Sequence, residues 1–352
     1  MRPGEEHPDE QARGLEDPWS EADDADLDDS LLSQVAQVSV PMRVPVRGER
    51  MGGPDGERFE ILEQLGSGAM GLVFKARDKE LQREVALKFL LPREGGGEVP
   101  MSALLRQEAR AIAQLDHDNI VRIFDVAEWS GAPWEPKIPF LIMECLEGQC
   151  LSALLQRESP SLSRAVEIMM AVAAGLAHAH EHHVIHRDLK PGNVFVTRKE
   201  QVKILDFGLA WLTASVVPGA PNLPAAGTPA YMSPEQWKGE EQDERTDIWA
   251  AGILLFELLT GEPPYTDTSL AELREHVLSE TPVPSIRERR PGLPEELDRL
   301  VASMLAKERT KRLGSAVELR ERLRRVEESL TPWKDEPRSL APQRRQVTLV
   351  AC

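Results

Sequence analysis

The sequence is short of cysteine, of positive charge and of long apolar runs, and each shortage narrows what the protein can be. Three cysteines in 352 residues, Cys145, Cys150 and Cys352, do not make a disulfide framework for a chain of this size. The fold must therefore rest on a packed core, and a reducing cytoplasm is the expected setting. Lysine and arginine number 42 against 59 aspartates and glutamates, a net charge of -17. So acidic a protein is not expected to bind nucleic acid. The most apolar stretches, "EIMMAVAAGLAHAH" and "IWAAGILLFELLTG", fall short of the roughly 20 residues that span a bilayer, so both read as buried helices and no membrane span is expected. The second of them carries Glu257. The N-terminus has no basic region followed by an apolar one, so no signal peptide is expected.

What is present is unevenly spread. Residues 1–30 hold twelve Asp or Glu and two Arg, and residues 1–57 as a whole read as a disordered acidic tail. From Phe59 the chain alternates apolar and polar residues through three strand-like segments. A helix is expected near Met101–Leu115, then strands near Val121–Val126 and Ile138–Met143, with "WSGAPWEPK" as a hairpin insertion between them. From about Leu151 the pattern turns helical, with short strands near Val194–Val196 and Val202–Leu205. Residues 58–328 thus read as one domain, a β-rich lobe over 58–146 and a larger helical lobe over 147–328. Residues 329–352 read as a charged, Pro-containing linker or tail.

Three motifs carry chemistry. Gly66, Gly68 and Gly71 form G-x-G-x-x-G between two strand-like segments, so the glycines belong to a hairpin and not to the strand–helix turn of a dinucleotide fold. Such a hairpin brings backbone N–H groups close to phosphates because no Cβ stands in the way. Lys88 sits in the apolar run "VALK", where an ammonium is costly unless it reaches an anion. Glu108, inside the apolar stripe Leu104, Leu105, Ile112 and Leu115 of the following helix, is its expected partner. The third motif, "LAHAHEHHVIHRDLKPGNVF", holds five of the chain's eight histidines and raises the question of a metal site. "DFG" at Asp206–Gly208 follows it, and Asp188, Asn193 and Asp206 are oxygen donors of the kind that suit Mg²⁺ and phosphoryl transfer.

In this order and at this spacing, the Gly-rich hairpin, "VALK", the helix glutamate, "HRDLKPGN", "DFG" and "GTPAYMSPE" resemble the eukaryotic-like protein kinases of bacteria, over about Phe59 to Glu328. The resemblance implies an α+β bilobal protein kinase fold and a non-specific serine/threonine protein kinase acting in intracellular signalling. It would move the γ-phosphoryl of ATP to Ser or Thr hydroxyls of protein substrates, and of itself by self-association. The metal would be Mg²⁺, with Mn²⁺ as the alternative. Asp188 would orient the hydroxyl and accept its proton, and Lys190 would neutralise charge on the γ-phosphate. Asn193 and Asp206 would hold the metal, and Lys88, fixed by Glu108, would contact the α- and β-phosphates. Leu65, Gly66, Ser67, Gly68, Ala69, Met70, Gly71, Leu72 and Val73 would cover the nucleotide. Ala86, Val73 and Phe195 or a neighbour would sandwich adenine, Met143 would guard the back of its pocket, and Glu144 and Leu146 would bond it through their backbones. Asp247 would anchor the catalytic loop and Arg312 would pair with Glu235. The histidines then read as a helix end, where cationic side chains suit the dipole, with His186 holding the loop.

Some positions depart from the family pattern. Ser233 replaces the commoner Ala of Ala-Pro-Glu, Leu87 replaces Ile, and Cys150 stands where a polar residue near the ribose is usual. His183 occupies a position where Gly is common, which predicts a strained turn. Arg187 predicts activation by phosphorylation between Asp206 and Glu235, at Thr213 or Ser215, with Thr228 structural. A pseudokinase, the rival reading, usually lacks an equivalent of Lys88, Asp188 or Asp206, and all three are present. The tail ends in an alternating run, Val347–Val350, and "RRQVTLV" resembles the first strand of a nucleotide-cyclase-like domain, against the alternative of a tail that docks on the kinase lobes or stays disordered.

Overall fold

In the computed structural model the segment from Phe59 to Leu90 folds as consecutive antiparallel strands, β2 (Phe59–Gly68), β3 (Gly71–Asp78) and β4 (Arg83–Leu90). The structure describes residues 43–53, 55–68, 71–90, 111–131, 137–207, 229–266 and 269–330. The expectations for residues 1–42, for Ala69 and Met70, for Glu108 and most of its helix, for Thr213, Ser215 and Thr228, and for 331–352 lie outside those residues.

The sheet is completed by β5 (Ile123–Trp129), β6 (Ile138–Glu144) and a short β1 (Arg50–Met51), in the order β1-β2-β3-β4-β6-β5 with every neighbour antiparallel. Ordered structure therefore starts before Arg58, where sequence composition put the boundary. Met51 pairs with Phe59 and is buried, and Arg43 Nη1 donates to the Gly131 carbonyl at 2.6 Å. Strand alternation divides the side chains between two cores. Phe59, Phe74, Phe89, Trp129 and Phe140 form an aromatic cluster on one face, with edge-on contacts such as Phe74–Phe89 at 5.6 Å between centroids. Leu65, Val73, Ala86 and Met143 belong to the other cluster, which continues without a break into the helical lobe.

The second lobe opens with β7 (Gly148–Cys150) and α1 (Leu151–Leu155), and β7 pairs with β8 (Val194–Thr197), which pairs with β9 (Val202–Ile204). Gly148 is required there. Its φ is +155°, and a Cβ would lie 2.1 Å from the Val196 carbonyl oxygen. The long helix α2 (Leu162–Glu181) starts at Ser161, whose hydroxyl accepts Arg164 N–H at 3.2 Å. It is 20 residues long, longer than the apolar stretch read from the sequence, and by length and composition alone it could cross a bilayer. Ala165, Val166, Ile168, Met169, Val172, Ala173 and Leu176 are buried in the lobe at helical spacing. The helix ends on a double bond pattern: Val184 N–H reaches Ala179 O and His183 N–H reaches His180 O, both at 2.9 Å. That pattern needs a left-handed residue, and His183 supplies it at φ 59°, as its substitution for Gly predicted.

After α3 (Pro234–Lys238) comes α4 (Glu244–Thr260), capped by Asp243 and stopped by Gly261 at φ 94°. From Thr246 to Phe256 every residue of α4 is buried, which makes it the post around which the lobe packs. The helices α5 (Leu270–Leu278), α6 (Ile286–Arg289), α7 (Glu295–Met304) and α8 (Ala316–Leu330) complete the described lobe. Gly252 lets α4 close on Leu305, to which a Cβ would approach within 2.7 Å.

Candidate active site

The glycine-rich segment is the end of the β2–β3 hairpin, with Gly68 opposite Gly71, Ser67 opposite Leu72 and Gly66 opposite Val73. A bulge between Gln64 and Gly66 bends β2 as it enters the turn. Leu72 does not face the same way as Val73. It packs on the aromatic cluster, so only its backbone is left for a ligand. Leu65, Val73, Ala86, Met143, Leu146 and Phe195 are all buried in the cluster that runs between the lobes, and Met143 stands directly opposite Ala86 across β4 and β6.

Glu144 begins the crossover to the second lobe. Its N–H donates to Arg122 O at 3.0 Å, so of its backbone only the carbonyl remains for adenine. Its carboxylate turns the other way, accepting Arg122 N–H at 2.8 Å and pairing with the buried Lys203 of β9 at 2.7 Å. Sequence reading missed Lys203, although a lysine in the three-residue apolar strand "VKI" carried the same signal as Lys88. Cys150 is buried at the start of α1, with Sγ 3.1 Å from Ser152 Oγ.

Lys88, 5% exposed, reaches Asp206 with Nζ–Oδ2 at 2.5 Å. Its expected partner, Glu108, lies outside the described residues. Asp188 is tied to Lys190 (Nζ–Oδ2, 2.9 Å) and to the Asn193 amide, whose Nδ2 donates to Asp188 O at 2.7 Å and to Oδ2 at 3.0 Å. Burial raises the Asp188 pKa above the usual carboxylate value, against the pull of Lys190 and Asn193. Both bonds use the amide nitrogen, which leaves Oδ1 as the acceptor end of Asn193. With Asp206 it makes a pair of hard oxygen donors, a set that fits a divalent cation such as Mg²⁺.

The loop that carries Asp188 is held by α4. Asp247, buried at the helix start, accepts His186 N–H and Arg187 N–H at 2.8 Å each, and His180 Nε2 lies 2.8 Å from its Oδ2. Burial would raise the Asp247 pKa, yet His180 and these N–H groups hold it below the carboxylate range. The sequence places His180 only at the helix end. Its partner lies 67 residues away, and no local pattern announces it. His186 Nε2 bonds Leu205 O at 2.8 Å, and Leu205 N–H returns to Asn193 O at 2.8 Å, so the Asp188 and Asp206 loops are stitched together. Arg187 and Asp206 sit at φ 66° and 59°, conformations that cost non-glycine residues energy and persist only where surroundings impose them. Gln236 adds to that imposition, donating to Arg187 O at 2.9 Å. Its Oε1 accepts from the backbone and hydroxyl of Ser233, the replacement in "SPE". Arg312 grips Glu235 with two bonds, of 2.7 and 3.0 Å.

Comparison with known proteins agrees with this geometry. The protein kinase domain family matches residues 59–323. Serine/threonine-protein kinase PknB of Mycolicibacterium smegmatis is 38% identical over 299 residues, covering 84% of this chain and 47% of that protein. PknB of Mycobacterium tuberculosis is 36% identical over 279 residues, covering 78% and 44%. A probable serine/threonine-protein kinase PknB of Bifidobacterium longum is 35% identical over 271 residues, covering 75% and 39%. The chain spans less than half the length of these curated relatives. With a two-lobed fold, a glycine hairpin, and Lys88, Asp188, Asn193 and Asp206 gathered where the lobes meet, the chain belongs to the protein kinase family, in its bacterial serine/threonine branch.

Proposed function

We propose that the protein is a serine/threonine protein kinase that transfers the γ-phosphoryl of ATP to Ser and Thr hydroxyls of proteins. The observation that carries this is the pairing of two buried-edge carboxylates with two lysines, Asp206 with Lys88 and Asp188 with Lys190, joined through Asn193. Leu65, Val73, Ala86, Met143 and Phe195 supply apolar walls for adenine, and the Glu144 carbonyl and Leu146 backbone supply its polar contacts. Lys88 moves from Asp206 to the α- and β-phosphates, and the glycine hairpin closes over them with backbone N–H groups. A divalent ion, Mg²⁺ or Mn²⁺, held by Asn193 and Asp206, neutralises phosphate charge when bound. Asp188 orients the acceptor hydroxyl and takes its proton as the oxygen–phosphorus bond forms and the β–γ bridge breaks, releasing ADP. Lys190 stabilises the charge that gathers on the transferred group. ATP is available in the cytoplasm, to which we assign the catalytic work, and one copy of the chain serves as protein substrate for another.

The test is transfer of radiolabelled phosphate from ATP to a protein substrate and to the chain itself. Asp188→Asn keeps an acceptor for Asn193 Nδ2 and loses the base, so the rate falls by about 10²–10⁴ with folding intact. Turnover within a few-fold of the parent protein rejects the assignment.

A further inference from the structure

The histidines at the end of α2 are not all accounted for by the helix end. His178 stacks on His117 at 5.1 Å between ring centroids and meets His182 at 4.5 Å with the rings tilted by 42°, a run of three imidazoles in contact. His117 lies in the first lobe, on the segment that leads into β5. Two residues on, Asn119 hooks onto β9: Nδ2 donates to Val202 O at 2.8 Å, and its carbonyl accepts Ile204 N–H at 2.8 Å. Val121 N–H reaches Ile204 O at 2.9 Å, and Gly175 of α2 makes room, since a Cβ there would lie 3.0 Å from Asn119 O. The hook itself is closed by His117, whose Nδ1 accepts Asn119 N–H at 3.0 Å.

We propose that His117 is a proton-operated latch on the Asn119 hook, so that acidification loosens β9, two residues before Asp206, and slows phosphoryl transfer. The chemistry follows from one atom. A neutral imidazole that accepts at Nδ1 carries its hydrogen on Nε2, so an added proton must go to Nδ1. That converts the acceptor into a donor facing another donor, and the Asn119 N–H bond is lost. The groups facing His117 come from three sides: Asp118 on its own segment, His178 of α2, and Lys203 of β9 with Arg320 of α8. Asp116, the nearby carboxylate that faces His178, is engaged by Arg122. Burial, then the His178 charge, lowers the His117 pKa below its usual value. The closed latch is therefore fully stable above the unfolded value of about 6.5 and loses stability as pH falls from there through the folded value.

This inference rests on the kinase reading for its effect on turnover, and hydrogen exchange tests the latch without ATP. Between about pH 7.5 and about pH 5.5, after correction for the intrinsic rate, exchange at Asn119, Val121 and Ile204 should speed up several-fold, to a ceiling of about tenfold set by the one pH unit below the unfolded value. In His117→Asn the amide oxygen accepts the N–H two residues on without titrating, so this acceleration should vanish, along with the extra fall in turnover. His178→Phe keeps a stacked ring and removes its charge, so the midpoint should move to higher pH. Equal acceleration in the parent and His117→Asn proteins, or none in the parent, overturns the latch. Where His117→Asn does not fold, an unmoved midpoint in His178→Phe overturns it. Acceleration in the parent that is absent from His117→Asn, in a protein without transfer activity, upholds the latch and rejects the kinase reading.

Discussion

At the scale of single residues, the site is built from carboxylates in unlike surroundings. Asp188 is buried and its pKa is raised, whereas Asp247, more deeply buried still, is held low by His180 and two backbone N–H groups. Only the ionised form of Asp188 can accept a proton, so kcat should fall on acidification through a value above the usual carboxylate value of about 3.9. Lys190 opposes that rise. Lys190→Met should therefore move the acid limb to higher pH as well as lower kcat, which a pH profile at saturating ATP and protein substrate will show. An unmoved limb would mean that Lys190 does not set the charge state of Asp188. Asp247 has the opposite sign: its share of stability is present above the unfolded carboxylate value and is lost only as pH falls through a lower folded value.

At the scale of elements, the sequence was legible wherever a signal was local. The strands β2 to β4 announced themselves by alternation, the glycine hairpin by its setting between strands, and the turn after α2 by a histidine in a glycine's place. His183→Gly removes the cost of a left-handed histidine and should stabilise the protein by about 1 kcal/mol, read as a higher Tm with unchanged kcat. Contacts across long stretches of chain were not legible. His180 with Asp247 and Lys203 with Glu144 join residues about sixty positions apart, and neither end of either pair has a neighbour that reveals the other. The direction of Leu72 was lost for a different reason, because a motif read as a run of nine residues ignores that alternate side chains of a strand face opposite ways. The Glu235–Arg312 pair was legible through family resemblance, and its burial, with Arg312 at 4% and Glu235 at 3%, sets its energetics. Glu235→Gln leaves a buried guanidinium without its counter-charge and should cost about 3–5 kcal/mol in denaturant unfolding. Adding Arg312→Met should restore part of that loss, and a double variant no more stable than Glu235→Gln would contradict this account.

At the scale of the whole molecule, the two lobes share one apolar cluster. Leu65, Val73, Ala86 and Met143 from the sheet continue through Leu146 and Phe195 to Leu176 and Trp249 of the helical lobe. The walls assigned to adenine are thus part of the interior, and a bound nucleotide fills a place in the core. ATP with Mg²⁺ at about 100 times Kd should raise unfolding free energy by about 2.7 kcal/mol, and Asp206→Asn, which weakens binding, should abolish most of the gain in a thermal melt. A gain confined to the parent protein's second lobe by hydrogen exchange would contradict a shared interior. The consequence reaches beyond catalysis. Proteases in a cell sample transiently opened chains, and the opened fraction here falls as nucleotide supply rises. The same pocket that spends ATP would then set how long each copy survives, so starvation would thin the population of enzyme before any signal told it to stop.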